Sequence, residues 1–162
     1  MKLSSFLKIA LISSFCFSLI ACKEETAEIG KPAPEIATFD LDGNKVFLEK
    51  FKGKPILVNF WSSTCGMCLI ELKSFEKIAA QHPEKIQLLA INIDGENSDT
   101  RKVVEKNKLN LPIVKDQLKI TAERYQLVGT PTSFLIDPTG KILYKFEGLI
   151  PDKTLQQLFV GQ

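Results

Sequence analysis

The run Ile56-Leu57-Val58-Asn59-Phe60-Trp61-Ser62-Ser63-Thr64-Cys65-Gly66-Met67-Cys68 sets six β-favouring, mostly apolar residues directly ahead of a Cys-x-x-Cys pair. Such a run reads as a strand covered on both faces, at the centre of a sheet. From Cys68 onward the period changes. Leu72, Phe75 and Ala79 recur at helical spacing, with Lys73, Glu76 and Lys77 on the other side. The two cysteines therefore fall where a buried strand hands over to a helix. Ser62, Ser63 and Thr64 can accept bonds from first-turn amides, which predicts a helix starting at or just before Cys65. The free N–H groups and positive dipole end of that helix favour a thiolate at Cys65. Cys68, one turn further in, is the more covered sulfur, and a two-residue gap lets the two meet. Cys65 is thus the expected attacking thiol and Cys68 the thiol that resolves a mixed disulfide.

Other chemistries use the same two residues. A structural zinc site needs four ligands, and only His82 would remain as a further soft ligand besides the N-terminal cysteines. A static disulfide across so short a loop would constrain the unfolded chain little. A peroxidatic Cys65 is the strongest rival, because peroxiredoxins carry Pro-x-x-x-Thr/Ser-x-x-Cys on a similar fold. Ser62 fits their hydroxyl position, but Val58 stands where their proline should be.

Outward from this centre, Glu35–Asp40 and Lys45–Phe47 flank the turn signal Leu41-Asp42-Gly43-Asn44 and predict an opening hairpin. Ile86–Ile93 reads as a second buried strand, and Thr100–Lys108 and Lys119–Tyr125 as helices separated by Pro112. Ser133–Ile136 and Lys141–Phe146 pair around Asp137-Pro138-Thr139-Gly140, with a last helix after Pro151. This order predicts an α/β fold with a mixed central sheet flanked by helices. The 162 residues are 44% hydrophobic and 25% charged, suited to one globular domain. Without Lys2 and Lys8, the 21 basic residues become 19, equal to the 19 acidic ones. A neutral domain of this kind is not expected to bind nucleic acid.

Val128-Gly129-Thr130-Pro131-Thr132, lying ahead of a late strand, is the second chemical element. With Cys65 following the first buried strand, the arrangement resembles the thioredoxin fold. That resemblance implies a cis Thr130–Pro131 bond facing the redox pair, and a loop backbone that pairs with an extended substrate chain. More narrowly, Ile29 to Gly161 is similar to the TlpA/ResA-like thiol–disulfide oxidoreductases. The features that match are Gly30-Lys31-Pro32-Ala33-Pro34, Val58-Asn59-Phe60-Trp61, the Cys-x-x-Cys, an insert around Asn92–Pro112, Thr130-Pro131-Thr132, Asp137 and Gly140. The resemblance implies Cys65 and Cys68 as catalytic residues and Trp61, Thr130 and Pro131 as substrate-binding ones. Asn59 occupies the place of thioredoxin's buried Asp and cannot take a proton. Glu71, three residues after Cys68, matches a functional Glu of ResA-like members. It would share a helix face with Cys68, where a partly buried carboxyl with a raised pKa could shuttle a proton. Asp94 and Glu96 are expected to be solvated. Met67 and Thr64 depart from the family's habitual Pro and aromatic residue, Met67 in the intervening dipeptide that tunes reduction potential and Thr64 just before Cys65.

At the N-terminus, Lys2 and Lys8 precede an apolar stretch, Ile9–Ala21, too short to span a bilayer comfortably. Leu19-Ile20-Ala21-Cys22 resembles the lipobox of bacterial lipoproteins, which implies cleavage before Cys22 and its lipidation. The expected organisation is residues 1–21 as a removed signal, 22–31 as a lipidated tether and 32–162 as the thioredoxin-like domain. The charged stretch Lys23–Lys31 would reach roughly 30 Å when extended. The protein is then expected on the extracytoplasmic, periplasmic side, as a monomer without metal or organic cofactor. It would exchange disulfides with partner proteins, as a reductant recharged by a membrane thiol donor, for example in cytochrome c maturation. The competing expectations are a thiol peroxidase and a non-catalytic thioredoxin-fold binding module.

Overall fold

Alternation along Ile56–Trp61 organises the molecule, and the computed structural model describes residues 25–160 around it. All six residues are buried. Ile56, Val58 and Phe60 join one apolar cluster while Leu57 and Trp61 join the other, so one strand contributes to cores on both faces. The elements run in the order β1 (Thr38–Asp40), β2 (Lys45–Val46), a 3₁₀ turn (Leu48–Phe51), β3 (Ile56–Trp61), α1 (Gly66–Gln81), β4 (Gln87–Asn92), α2 (Thr100–Lys106), β5 (Ile113–Lys115), α3 (Ile120–Arg124), β6 (Thr132–Ile136), β7 (Ile142–Glu147) and α4 (Asp152–Val160). The seven strands form one sheet in the order β2-β1-β5-β4-β3-β6-β7. β3 pairs in parallel with β4, and β4 with β5, while β3–β6, β6–β7, β1–β5 and β1–β2 are antiparallel. The expected mixed sheet with helices on both faces is present.

One face carries Leu57, Trp61, Leu88, Ala90 and Ile113 under Leu72, Phe75 and Ile78 of α1 and Leu155 and Phe159 of α4. The other is closed by Tyr125, Ile36 and Leu48 over Val58, Phe60, Leu89, Ile91 and Phe134. There the rings of Phe60, Tyr125 and Phe134 pack within 6 Å of one another, two of the three pairs edge-to-face. Both hairpins are closed by an aspartate that accepts backbone N–H groups within its own turn. Asp40 takes Asp42 and Asn44, and Asp137 takes Thr139 and Lys141. A positive-φ glycine completes each turn, at Gly43 (φ 87°) and Gly140 (φ 92°).

Several boundaries differ from the sequence expectation. The opening hairpin strands are shorter than Glu35–Asp40 and Lys45–Phe47. β5 was not anticipated, because only three residues separate Pro112 from Asp116. That triplet is held by its neighbours, pairing with β4 in parallel and with β1 antiparallel. Lys119 adopts a left-handed conformation (φ 60°), so the third predicted helix begins one residue later, at Ile120. The buried Asp116 carboxylate accepts the Ala122 N–H at 2.7 Å and so caps that short helix.

The expected tether is shorter than Cys22–Lys31. Ala27 N–H already bonds the Arg124 carbonyl, Gly30 N–H bonds the Ile142 carbonyl, and the Lys31 carbonyl accepts the Ile142 N–H. Ala27 also packs against the second core cluster. The domain therefore begins before residue 32, because backbone pairing with β7 fixes a stretch that lacks any hydrophobic period. The expected signal segment and Cys22 lie outside the described residues.

Tyr125 is fully buried, and its hydroxyl donates to the buried Pro34 carbonyl at 2.9 Å. Tyr125→Phe keeps the ring packing but leaves that acceptor unpaired. It is expected to lower unfolding free energy by about 1–2 kcal/mol in urea denaturation, with an unchanged m-value.

Candidate redox site

β3 ends at Trp61, and three residues later the chain turns into α1. The first of the two sulfurs sits at the turn itself. Cys65 is the N-cap of α1, with extended backbone (φ −91°, ψ 98°), and its Sγ accepts the Cys68 N–H at 3.1 Å. The hydroxyls of Ser62 and Thr64, expected to cap the helix, instead bond each other at 3.1 Å. The helix thus starts at Gly66, and the sulfur itself occupies the place of the capping oxygen. Cys65 and Cys68 form a disulfide, with Cα atoms 5.3 Å apart. Cys65 is half-buried, whereas Cys68 is completely covered and belongs to the first core cluster. Of the two sulfurs, only that of Cys65 can be reached from solvent.

The Thr130–Pro131 bond is cis, as the resemblance implied. The loop that carries it faces the pair, with the Thr130 carbonyl oxygen 3.8 Å from Cys65 Sγ. Pro131 is buried and its carbonyl is taken by the Gly148 N–H, whereas Thr130 is only half-buried. Among the described residues no backbone group pairs with the Thr130 N–H or carbonyl. Thr130 and not Pro131 therefore presents main-chain bonding groups beside the reachable sulfur. Trp61 needs a correction. It is 0% exposed and packed in the first core cluster, so it offers no face to a partner and belongs to the floor beneath the sulfurs.

Glu71 extends the buried face of α1 that begins at Cys68. It sits one turn beyond Cys68 on the same buried face of α1 and is 4% exposed. Its Oε1 accepts the Ile150 N–H at 2.7 Å and its Oε2 accepts from Asn59 Nδ2 at 3.0 Å. Burial pushes the carboxyl above its ordinary range, opposed by those two donors. Asn59, on β3, is held in turn by the hydroxyl of Ser133, its partner across β6, at 2.8 Å from Nδ2. β3, α1, β6 and the connection into α4 thus meet at one carboxyl.

Asp94 was expected to be solvated and is only partly so. It follows β4, which runs parallel to β3, so its loop emerges beside the one carrying Cys65. Its Oδ1 accepts from Ser62 Oγ at 2.5 Å, and its Oδ2 accepts the Ser63 N–H and Asn92 Nδ2, each at 2.8 Å. Asn92 is itself pinned by the hydroxyl of Thr100, the first residue of α2. Burial alone would raise the Asp94 carboxyl, but the hydrogen bonds from Ser62, Ser63 and Asn92 together hold it below its usual range. The signal was present in the sequence. In a parallel strand–helix–strand unit both strand ends face the same edge, so a polar residue just past the second strand lies near the loop after the first. Glu96 is exposed, as expected.

The sequence profile of the AhpC/TSA family matches residues 29–145, and the chain belongs to that family. It is 34% identical over 137 residues to the thiol-disulfide oxidoreductase ResA of Bacillus thuringiensis subsp. konkukian, covering 84% of this chain and 78% of that protein. It is 29% identical over 138 residues to the thioredoxin-like protein YneN of Bacillus subtilis, covering 83% and 81% of the two chains. Among solved structures, a thiol:disulfide interchange protein DsbE from Chlorobium tepidum superposes with a TM-score of 0.75 at 28% identity, over 83% of this chain and 97% of that one. StoA from Bacillus subtilis superposes with a TM-score of 0.66 at 25% identity, over 78% and 96%. With the Cys65–Cys68 pair in place, the chain is a thiol–disulfide oxidoreductase of thioredoxin-like fold.

The Glu71 environment gives stability a defined pH dependence. Its folded-state pKa lies above the unfolded one, so its contribution is most favourable below the ordinary glutamate range. That contribution is lost as pH rises through the folded value. Urea unfolding of the oxidised protein at pH 4 and pH 8 is expected to show Glu71→Gln gaining stability relative to the wild type at the higher pH. A parallel pH response of the two proteins would show that the carboxyl carries no such penalty.

Proposed function

We propose that this chain is a lipid-anchored, extracytoplasmic disulfide reductase in which Cys65 is the nucleophile and Cys68 the resolving thiol. The observation that carries the roles is the asymmetry of the pair. Cys65 is reachable and receives the Cys68 N–H at a helix N-terminus, while Cys68 is covered. An N–H aimed at a sulfur favours the thiolate, as does the dipole of the sixteen-residue α1.

In the reduced protein the Cys65 thiolate attacks one sulfur of a partner disulfide. A Cys65–partner bond forms, and the partner's other sulfur leaves as a thiolate. Cys68 then loses its proton to the Glu71 carboxylate and attacks Cys65 Sγ. The second partner sulfur leaves, and the Cys65–Cys68 disulfide remains. Two electrons pass to the partner, whose two thiolates become thiols by taking up two protons. A pair of thiols supplies both electrons, so the scheme calls for no metal or organic cofactor. The N–H and carbonyl of Thr130 are placed to pair with an extended partner segment as it crosses Cys65.

Location rests on the N-terminal sequence, where the basic start, short apolar stretch and Leu19-Ile20-Ala21-Cys22 support export and lipidation at Cys22. With Ala27 docked, the four residues Lys23–Thr26 between the proposed lipid site and the docked chain could span at most roughly 14 Å, instead of the 30 Å of a longer tether. The monomeric domain then works close to the bilayer, where a membrane thiol donor can re-reduce it. The targets that fit are disulfides in exported proteins, among them the paired haem-attachment cysteines of apocytochromes c.

Cys68→Ser is expected to accumulate partners covalently held on Cys65, released by dithiothreitol and absent from Cys65→Ser. Cys65 should be alkylated with a midpoint below the ~8.5 of a free thiol. Peroxide consumption that survives in Cys68→Ser with an external thiol would favour a peroxidase instead. An unimpaired cellular phenotype in Cys65→Ser would favour a non-catalytic binding module.

A further inference from the structure

Glu71 is the buried carboxyl of the site, and the residue opposite it has no assigned part in the chemistry. Asn59 lies on β3, two residues before Trp61, and is 1% exposed. Its Nδ2 spans two elements, donating to Glu71 Oε2 at 3.0 Å and to Ser133 Oγ at 2.8 Å. Its Oδ1 is buried and has no protein hydrogen-bond partner among the described residues. A β3 residue in this core would ordinarily be apolar, as its neighbours Val58 and Phe60 are. Placing an amide there costs desolvation unless it is used.

We propose that Asn59 is a positioning residue for disulfide exchange, whose amide holds the Glu71 carboxyl beneath Cys68 and can serve it with or without its proton. The inference rests on the reading of Glu71 as acceptor of the Cys68 proton. A carboxylate needs a donor, which Nδ2 supplies as it stands. A carboxylic acid needs an acceptor, and a half-turn of the amide brings Oδ1 to the same place. Ser133 can follow the turn, because a hydroxyl accepts from Nδ2 in one state and donates to Oδ1 in the other. Neither an apolar residue nor an ionised aspartate has both capacities. The groups bonded to Glu71 are Asn59 from β3 and the Ile150 N–H ahead of α4, with Ser133 of β6 behind Asn59 and Cys68 one turn earlier on the buried face of its own helix. None of these brings a fixed charge, and no charged side chain contributes to the carboxyl's shift. The amide is then the main adjustable influence on Glu71.

The two halves of the reaction can be timed separately with an aromatic disulfide whose released thiolate absorbs visible light. Attack by Cys65 releases the first thiolate, and resolution by Cys68 releases the second. Asn59→Leu removes the donor, so the pH midpoint of the second release is expected to rise by about one unit. Asn59→Asp, which sets two carboxyls face to face, should raise it further. The first release should keep its wild-type profile in both. A ¹³C titration of the Glu71 carboxyl in the oxidised protein should show the same upward movement without any turnover. Asn59→Ser, too short to reach Glu71, provides the donor-free comparison should leucine prevent folding. In a Glu71→Gln background, Asn59→Leu should add no further movement.

An unmoved Glu71 midpoint in folded Asn59 variants overturns the proposal. So does a movement that persists when Glu71 is glutamine. If Glu71→Gln alone leaves the second release unchanged, the reading of Glu71 fails, and the role of Asn59 with it. A response to Glu71→Gln without one to the Asn59 variants sinks the Asn59 proposal alone.

Discussion

Burial of β3 on both faces is the constraint from which the site follows. A strand whose alternate residues feed two cores cannot slide, because a one-residue slip would exchange the faces of Leu57 and Val58, of Phe60 and Trp61. Its C-terminal end is therefore fixed, and so is the point where the chain leaves the sheet to start α1. The register with β6 brings Ser133 opposite Asn59, and the register with β4 delivers Asp94 beside Ser62 and Ser63. Cys65 thus stands at the N-cap of α1, separated from that strand end by only three residues, in a turn tied to Asp94 through Ser62 and Ser63.

Two carboxyls near that sulfur are treated oppositely by their surroundings. Glu71 is almost wholly enclosed and has two donors, too few to offset the loss of water. Asp94 keeps partial contact with solvent and collects three donors, so its charge is favoured. The first is suited to changing protonation state during turnover. The second is suited to staying ionised and clamping the turn that presents Cys65. Burial and donor number, not residue type, separate their roles.

Much of this was legible in the residues. The apolar run before Cys65, the helical period after it and the Thr130–Pro131 motif were enough to place both sulfurs, the covered position of Cys68 and the loop opposite. Glu71 was singled out by the resemblance to ResA-like members, which carry a Glu at the same spacing from the second cysteine. What escaped depended on contacts between distant segments. β5 has only three residues and exists because β1 and β4 supply its partners. Asp94 looked like a loop charge until the neighbouring strand end was brought alongside. Ala27–Lys31 has the composition of a linker but bonds α3 at Arg124 and β7 at Ile142, and composition carries no record of main-chain hydrogen bonds. Trp61 went the other way, since the motif marks it as part of the site while packing places it wholly inside.

In the proposed scheme Cys65 performs two duties with one atom, reacting with partners as well as closing the first turn of α1. Alanine at this position strips the helix of its cap as well as its nucleophile, so a dead enzyme made that way would also be a loosened one. Serine keeps an acceptor of similar reach and isolates the chemical loss. The same coupling runs through the catalytic cycle, because a sulfur shared with a partner is a poorer acceptor than a free anion. The backbone at Gly66–Cys68 is thus a natural reporter of which covalent state the protein is in, and amide exchange there should follow the redox cycle turn by turn.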